Sequence, residues 1–130
     1  MSGYLLDSHT FLWFDGNPDR LTPATISLLQ NTFEPIYVSA MSLWEMGIKH
    51  RAGKFPEATD LLENWFERLT QLRILELAFN NLHAREAANL DWEHKDPFNR
   101  ALAAQARVER LTLITRDPVF STLPGLKTLW

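Results

Sequence analysis

The chain has 130 residues, of which 45% are hydrophobic and 22% are charged, a composition typical of a folded domain with a buried core. Its net charge of −3 argues against a protein that coats nucleic acid through a large basic field, and the lack of cysteine excludes disulfides and cysteine-based zinc sites. No apolar run is long enough to span a membrane and no secretion signal is present, so we expect one domain over residues 1–130, located in the cytoplasm and not in a membrane.

Short apolar runs alternate with helical patterns along the chain. The runs predict strands at residues 4–6, 36–38, 74–77 and 111–115. The helical patterns lie at residues 8–14, 22–31, 39–50, 61–72, 79–89 and 96–106, followed at the end by an apolar tail over 126–130. Strands that alternate with helices predict an α/β fold whose central, mostly parallel β-sheet carries helices on both faces.

Acidic residues lie where such a sheet places its functional sites, outside the carboxyl ends of the strands. Asp7 and Asp117 each follow a strand, and Glu45 lies in a helix that follows a strand. Asp96 and Asn99 begin a helix that leads into the last predicted strand. We therefore expect these five residues to converge at one edge of the sheet.

Each acidic residue also has a structural interpretation. Glu45 fits a capping box with Ser42, Asp96 before Pro97 fits a helix N-cap, and Asp117 before Pro118 fits a turn. Together, however, carboxylates at about 4–6 Å repel one another by a few kcal/mol per pair at a partly buried site. A cation relieves that repulsion, and a set of oxygen ligands favours Mg²⁺ or Mn²⁺. Such ions activate water for attack on a phosphodiester.

Four segments resemble the PIN-domain ribonuclease toxins of the VapC-like family, which belong to bacterial type II toxin–antitoxin systems. In order, they are Tyr4-Leu5-Leu6-Asp7-Ser8-His9; Val38-Ser39 with Leu43 to Lys49; His94 to Phe98 with Arg100 and Ala104 to Ala106; and Ile114 to Asp117. The resemblance covers nearly the whole chain. It implies a PIN-like fold, RNA cleavage that depends on Mg²⁺ or Mn²⁺, and a cognate antitoxin as partner. It also implies a homodimer and a larger assembly that binds DNA through the antitoxin.

By position, Asp7, Glu45 and Asp117 fall on acidic residues of that family. The family usually reads Asp-Pro-Phe-Asp-Arg where this chain has Asn99 in place of the second aspartate. The resemblance thus implies a catalytic set of Asp7, Glu45, Asp96, Asn99 and Asp117, in which all but Asp96 are metal ligands. Asn99 keeps one acceptor oxygen but loses the charge, which Asp96 is placed to replace in part.

Two alternatives stay open at this stage. Asn99, either native or an engineered change, weakens or abolishes catalysis and leaves a protein that acts mainly as an antitoxin-binding module. A phosphotransfer enzyme with an aspartyl nucleophile also places an aspartate after a strand, but this chain lacks the expected Asp-x-Asp pair at Asp7.

Other polar residues near these segments are candidates for supporting roles. Ser8, Ser39 and Thr115 are candidates to hold ligands or water around the metal, although a role as caps or strand ends explains each of them somewhat better. Arg100 and Arg116 are expected to contact RNA phosphates, with solvated surface positions as the alternative.

Overall fold

The computed structural model describes residues 2–130. Its strands are β1 (Tyr4–Leu6), β2 (Ile36–Ser39), β3 (Leu75–Leu77), β4 (Thr112–Ile114) and β5 (Thr128–Leu129). They form one sheet in the order β3-β2-β1-β4-β5, and every neighbouring pair is parallel. The predicted parallel sheet is therefore confirmed. Strand β5 lies in the stretch predicted only as an apolar tail, because two residues are too few to show a strand pattern.

The helices of the described residues connect these strands. They are α1 (Ser8–Gly16), α2 (Pro23–Asn31), α3 (Ala40–Arg51), α4 (Thr59–Glu63), α5 (Trp65–Leu72), α6 (Asn81–Asn89) and α7 (Pro97–Glu109). Short 3-10 turns occur at Pro18–Arg20, Pro56–Ala58 and Pro118–Thr122. Within residues 2–130, none of the helices combines the length and apolarity needed to cross a membrane.

Alternate residues of the central strands pack into two separate hydrophobic clusters. Leu6 and Ile114 contribute to a cluster that contains residues of α1 to α5, whereas their neighbours Leu5 and Leu113 contribute to one that contains α7. Because successive strand side chains point to opposite faces, the two clusters lie on the two sides of the sheet. The prediction of helices on both faces is confirmed.

Two helices begin at a proline, as the sequence predicts. Thr22 caps α2 ahead of Pro23, and Asp96 caps α7 ahead of Pro97. Proline at the first helical position loses no hydrogen bond, because that N–H has no partner within the helix. Helix α7 then buries its alanine-rich stretch from Ala101 to Ala106.

The single helix predicted over residues 61–72 is wrong in one respect, since the structure has two helices that meet at Asn64. Asn64 has φ −120° and ψ 27°, outside the helical region. Its side-chain amide donates to the backbone oxygen of Asp60 at 2.9 Å, a local bond that competes with helix propagation. Leu61 and Trp65 on either side of the break still enter the same hydrophobic cluster, which is why the apolar pattern looked continuous.

Gly3 is required where β1 begins. It has a positive φ of 148°, and a Cβ atom there would lie 2.8 Å from the carbonyl oxygen of Pro35 and 3.2 Å from a methyl group of Leu111. The adjacent Tyr4 N–H donates to that same Pro35 oxygen at 2.9 Å, so the two backbones cannot separate without loss of the hydrogen bond.

We therefore expect Gly3→Ala to lower the free energy of unfolding by about 1–3 kcal/mol, measured by urea denaturation. Gly47→Ala is the matched control. A Cβ atom at Gly47 meets no atom within 4 Å, and alanine in a helix interior should raise stability by about 0.5–1 kcal/mol. Equal effects of the two substitutions would contradict the role given to Gly3.

Candidate functional site

The strand order reverses between β1 and β4. The chain passes from β1 to β2 and β3 on one side, and then returns to place β4 and β5 on the other side. Connections that leave neighbouring strands in opposite directions open a crevice at the carboxyl edge of the sheet. Asp7 directly follows β1, and Asp117 lies three residues after β4. These two carboxylates therefore flank the reversal point.

A cleft of about 420 Å³ lies at this edge. It brings together all five residues predicted as the catalytic set, together with Ser8 and Arg116 from the supporting set. The full lining consists of Asp7, Ser8, His9, Trp13, Glu45, Lys49, Asp96, Asn99, Leu102, Arg116, Asp117, Pro118 and Phe120.

Asp7 is one of the two buried carboxylates of this set, with 9% of its surface exposed. It caps α1, because its Oδ1 accepts the N–H of Thr10 at 2.8 Å, and its Oδ2 accepts the Thr115 hydroxyl at 2.6 Å. No described residue forms an ion pair with it. Burial raises the pKa of Asp7 above its usual value, although the hydrogen bonds from Thr10 and Thr115 pull the pKa downward. Asp7 is therefore a buried carboxylate that has two hydrogen-bond donors and no cationic side chain of the described residues paired with it.

Thr115 connects the two carboxylates that flank the reversal point. Its hydroxyl donates to Asp7 and accepts the backbone N–H of Asp117 at 3.0 Å. Asp117 in turn accepts the N–H of Val119 at 3.0 Å and caps the 3-10 turn that follows. The turn predicted at Asp117 and its place in the cleft therefore coexist.

Glu45 enters the cleft from the second turn of α3, with 8% of its surface exposed. Its Oε1 accepts the hydroxyl of Ser8 at 2.8 Å, and its Oε2 pairs with the Lys49 ammonium at 3.0 Å. Ser8 thus orients the carboxylate, as expected of a residue around the ligands. Lys49 neutralises it from the position four residues along the same helix.

The capping box predicted for Ser42 and Glu45 is wrong. Helix α3 begins earlier, and its cap is Ser39, whose hydroxyl accepts the N–H of Met41 at 3.0 Å. Ser42 is therefore inside the helix, where its buried hydroxyl has no hydrogen-bond partner among the described residues. Ser39 lines a separate pocket beside β2 and β3 and does not line the cleft, so its supporting role stays a prediction.

Asp96 and Asn99 form one wall of the cleft at the start of α7. Asp96 accepts the N–H groups of Phe98 and Asn99 at 2.9 and 3.0 Å, which confirms the predicted N-cap. The side-chain amide of Asn99 donates to Nε2 of His94 at 2.9 Å. Its carbonyl oxygen has no hydrogen-bond partner in residues 2–130, and Asn99 lines the same cleft as the carboxylates.

The structure places Arg100 outside the lining of the cleft and shows a structural role for it. Its guanidinium donates to four backbone oxygens, those of Ala87, Leu90, Trp92 and His94, at 2.8–3.1 Å. These bonds fix the irregular segment that leads into α7. Arg100 therefore positions the wall of the cleft but has few donors left for a ligand.

Three residues that line the cleft are not among the predicted site residues, namely His9, Trp13 and Lys49. His9 and Trp13 are four residues apart on α1, and their rings lie 5.3 Å apart. Helical spacing downstream of Asp7 was the available signal for both. The same spacing between Glu45 and Lys49 was the signal for the lysine.

A hard divalent cation fits the donor chemistry of the cleft, since the side-chain ligands that line it are mainly carboxylate and amide oxygens. Within residues 2–130, however, no three Asp, Glu or His side chains stand close enough to hold one ion as they lie. Each carboxylate instead accepts a hydrogen bond from its own donor.

Comparison with known proteins gives the family. The sequence matches the PIN domain over residues 4–126, and no curated protein sequence matches the chain. Three crystal structures of similar fold are the DNA-bound VapBC from Salmonella typhimurium (17% identity, TM-score 0.70), VapBC2 from Rickettsia felis bound to a promoter DNA fragment (20%, 0.69), and FitAcB from Neisseria gonorrhoeae (20%, 0.65). Each alignment covers 98–99% of this chain and 96–98% of the other chain. With a family match over nearly its whole length and the same fold in these structures, the chain belongs to the PIN domain family.

Proposed function

We propose that this protein is the VapC-like toxin of a type II toxin–antitoxin pair and that it hydrolyses RNA at the acidic cleft with bound Mg²⁺ or Mn²⁺. One observation carries the proposal. Four carboxylates, those of Asp7, Glu45, Asp96 and Asp117, come from four separate parts of a PIN domain and line one cleft at the reversal point of its sheet. PIN domains in general depend on a divalent metal, which accounts for such a gathering of like charges.

The residues of the cleft have distinct roles in this proposal. Asp7, Glu45, Asn99 and Asp117 hold the cation, which when bound supplies a water of lowered pKa and offsets the charge that develops on the phosphodiester. The hydroxyls of Ser8 and Thr115 fix the carboxylates of Glu45 and Asp7. Asp96 keeps the wall beside Asn99 negative, since it lines the same cleft.

A partner protein belongs to the same proposal. The similar structures from Salmonella typhimurium, Rickettsia felis and Neisseria gonorrhoeae are complexes named VapBC, VapBC2 and FitAcB, and the first two contain DNA. We expect a cognate antitoxin here, which binds DNA and inhibits the toxin by placing an arginine in the acidic cleft. Action in the cytoplasm, a homodimer and a single domain over residues 1–130 stay predictions.

Cleavage of single-stranded RNA in the presence of Mn²⁺ tests the proposal. We expect Asp7→Asn to lower the rate by about 100-fold, because it removes a ligand charge while asparagine can still cap α1. Asp91→Asn is the matched control, since Asp91 is exposed and does not line the cleft. Equal rates for Asp7→Asn and the unaltered chain would exclude this site.

The buried charge of Asp7 gives a second, independent prediction. Because its pKa in the folded protein is raised above the usual value near 3.8, the folded state loses that proton at a higher pH than the unfolded state does. Above the raised pKa, the folded state must bury a charge, so ionised Asp7 lowers the free energy of unfolding. As pH falls through the raised pKa toward 3.8, that cost disappears.

We therefore expect Asp7→Asn to raise the Tm at about pH 7.5 in EDTA, with the gain shrinking as the pH is lowered. Mn²⁺ should raise the Tm of the unaltered chain and leave that of Asp7→Asn nearly unchanged, because only the former binds the ion tightly. Thermal unfolding followed by circular dichroism measures both effects. A lower Tm for Asp7→Asn in EDTA would show that the hydrogen bonds outweigh the burial of the charge.

Asn99→Asp tests what the missing charge does. The added carboxylate should tighten Mn²⁺ binding by about tenfold and speed RNA cleavage, whereas Asn99→Ala should weaken both. Isothermal titration calorimetry and the RNA assay measure the two effects. The second candidate function, an antitoxin-binding module without nuclease activity, is favoured by Asn99 itself and requires that neither the unaltered chain nor Asn99→Asp cleaves RNA.

A further inference from the structure

Two arginines from different loops lie over one tryptophan at the rim of the cleft. The guanidinium carbon of Arg116, which follows β4, is 5.1 Å from the centre of the Trp13 ring. That of Arg20, which ends the first 3-10 turn, is 5.4 Å from the same ring. Cation–π attraction to an indole accounts for both placements.

Neither guanidinium forms an ion pair or a hydrogen bond with another residue of the described chain 2–130. Arg68 and Arg100 show the contrast, because the first pairs with Asp15 and the second donates to backbone oxygens. Both rim arginines therefore keep their N–H donors available, although their positions are fixed by Trp13.

Trp13 also lines two openings. One is the acidic cleft, which has Arg116 in its lining. The other is a pocket of about 550 Å³, whose lining includes Arg20, Gly16 and Asn17. Since Trp13 lines both, the two openings are neighbours, with one of the two arginines in each.

The two arginines make this surface suitable for a strand of RNA, even though the cleft beside them is acidic. The cleft itself has four carboxylates and repels a polyanion, so the cations that hold the phosphates on either side of the scissile bond must lie at its rim. Guanidinium groups bind phosphate oxygens through paired N–H donors, and grooves for single strands combine such cations with aromatic rings. Glu57 is the one carboxylate among the residues that line the second pocket.

We propose that Arg116 and Arg20, held by Trp13, form a phosphate-binding path that carries the RNA strand from the acidic cleft into the second pocket. The path rests on the proposed function, because it assigns where the rest of the substrate lies. Trp13 is a positioning residue in it, and the two arginines contact the strand.

Fluorescence anisotropy with a 5′-fluorescein-labelled single-stranded RNA of about 12 nucleotides tests the path in EDTA, over a series of salt concentrations. We expect Arg20→Ala and Arg116→Ala each to weaken binding several-fold at low salt. Each should also reduce the slope of log K against log salt by about 0.7, the loss of one phosphate contact on a single strand. Arg51→Ala is the matched control, because Arg51 is exposed and lines neither opening, and it should leave the slope unchanged.

The positioning role of Trp13 is tested by asking whether the effects of its variants and of Arg20→Ala on RNA binding add. If Trp13 acts through the arginines, Trp13→Leu should weaken binding, Trp13→Tyr should restore part of it, and Arg20→Ala should add little once Trp13→Leu is present. Because Trp13 packs against the hydrophobic cluster, the Tm of each variant is measured alongside. Arg20 is exposed, so its single variant tests the path even where Trp13→Leu unfolds.

The outcomes separate the path from the nuclease activity. RNA binding whose salt slope depends on Arg20, without cleavage in Mn²⁺, supports the path and overturns the proposed function alone. Cleavage with the same KM for Arg20→Ala and Arg51→Ala overturns the path alone. No RNA binding in EDTA, or equal slopes for Arg20→Ala and Arg51→Ala, also overturns the path.

Discussion

The carboxylate of Asp7 is held almost fully out of water at the point where the strand order reverses, and the rest of the site depends on how that charge is tolerated. An unpaired buried carboxylate costs free energy, which the donors of Thr10 and Thr115 offset only in part. Asp7 cannot turn away, because its own N–H is bonded to the oxygen of Ile114 and its side chain caps α1. The backbone thus fixes a desolvated negative charge beside an open cleft.

The other carboxylates are tolerated by similar means. Asp96 and Asp117, like Asp7, accept backbone N–H groups at the start of a helical segment, where the positive end of the helix dipole favours a negative charge. Glu45 has the ammonium of Lys49 instead. Structural and functional interpretations of these residues are therefore not alternatives. The same local donors that let the acidic residues cap helices keep a cleft with four carboxylates folded when no cation neutralises it.

Local patterns predicted much of this arrangement, and contacts distant in sequence account for what they missed. The end of β1 before Asp7 and the start of α7 at Asp96 can both be predicted from neighbouring residues. Their convergence then followed from the parallel topology alone. Glu45 shows the limit. Its spacing from Ser42 suggested a capping box, but its actual donor, Ser8, lies 37 positions away in sequence. The hydrogen bonds of Arg100 were not predicted for a related reason, since backbone oxygens of an irregular segment leave no pattern in the sequence.

Asn99 follows from the same balance of charges. An aspartate there would share the first turn of α7 with Asp96 and face His94, whereas the amide donates to the His94 ring and adds no charge to the cleft. Compared with an aspartate at this position, Asn99 therefore lowers the repulsion among the carboxylates of the cleft and offers less attraction for a cation, a trade of affinity against stability. Under the proposed function, a cation bound in the cleft would relieve this repulsion. Stability and activity should then rise together with the same ion, and an aspartate at position 99 would make that coupling steeper than Asn99 does.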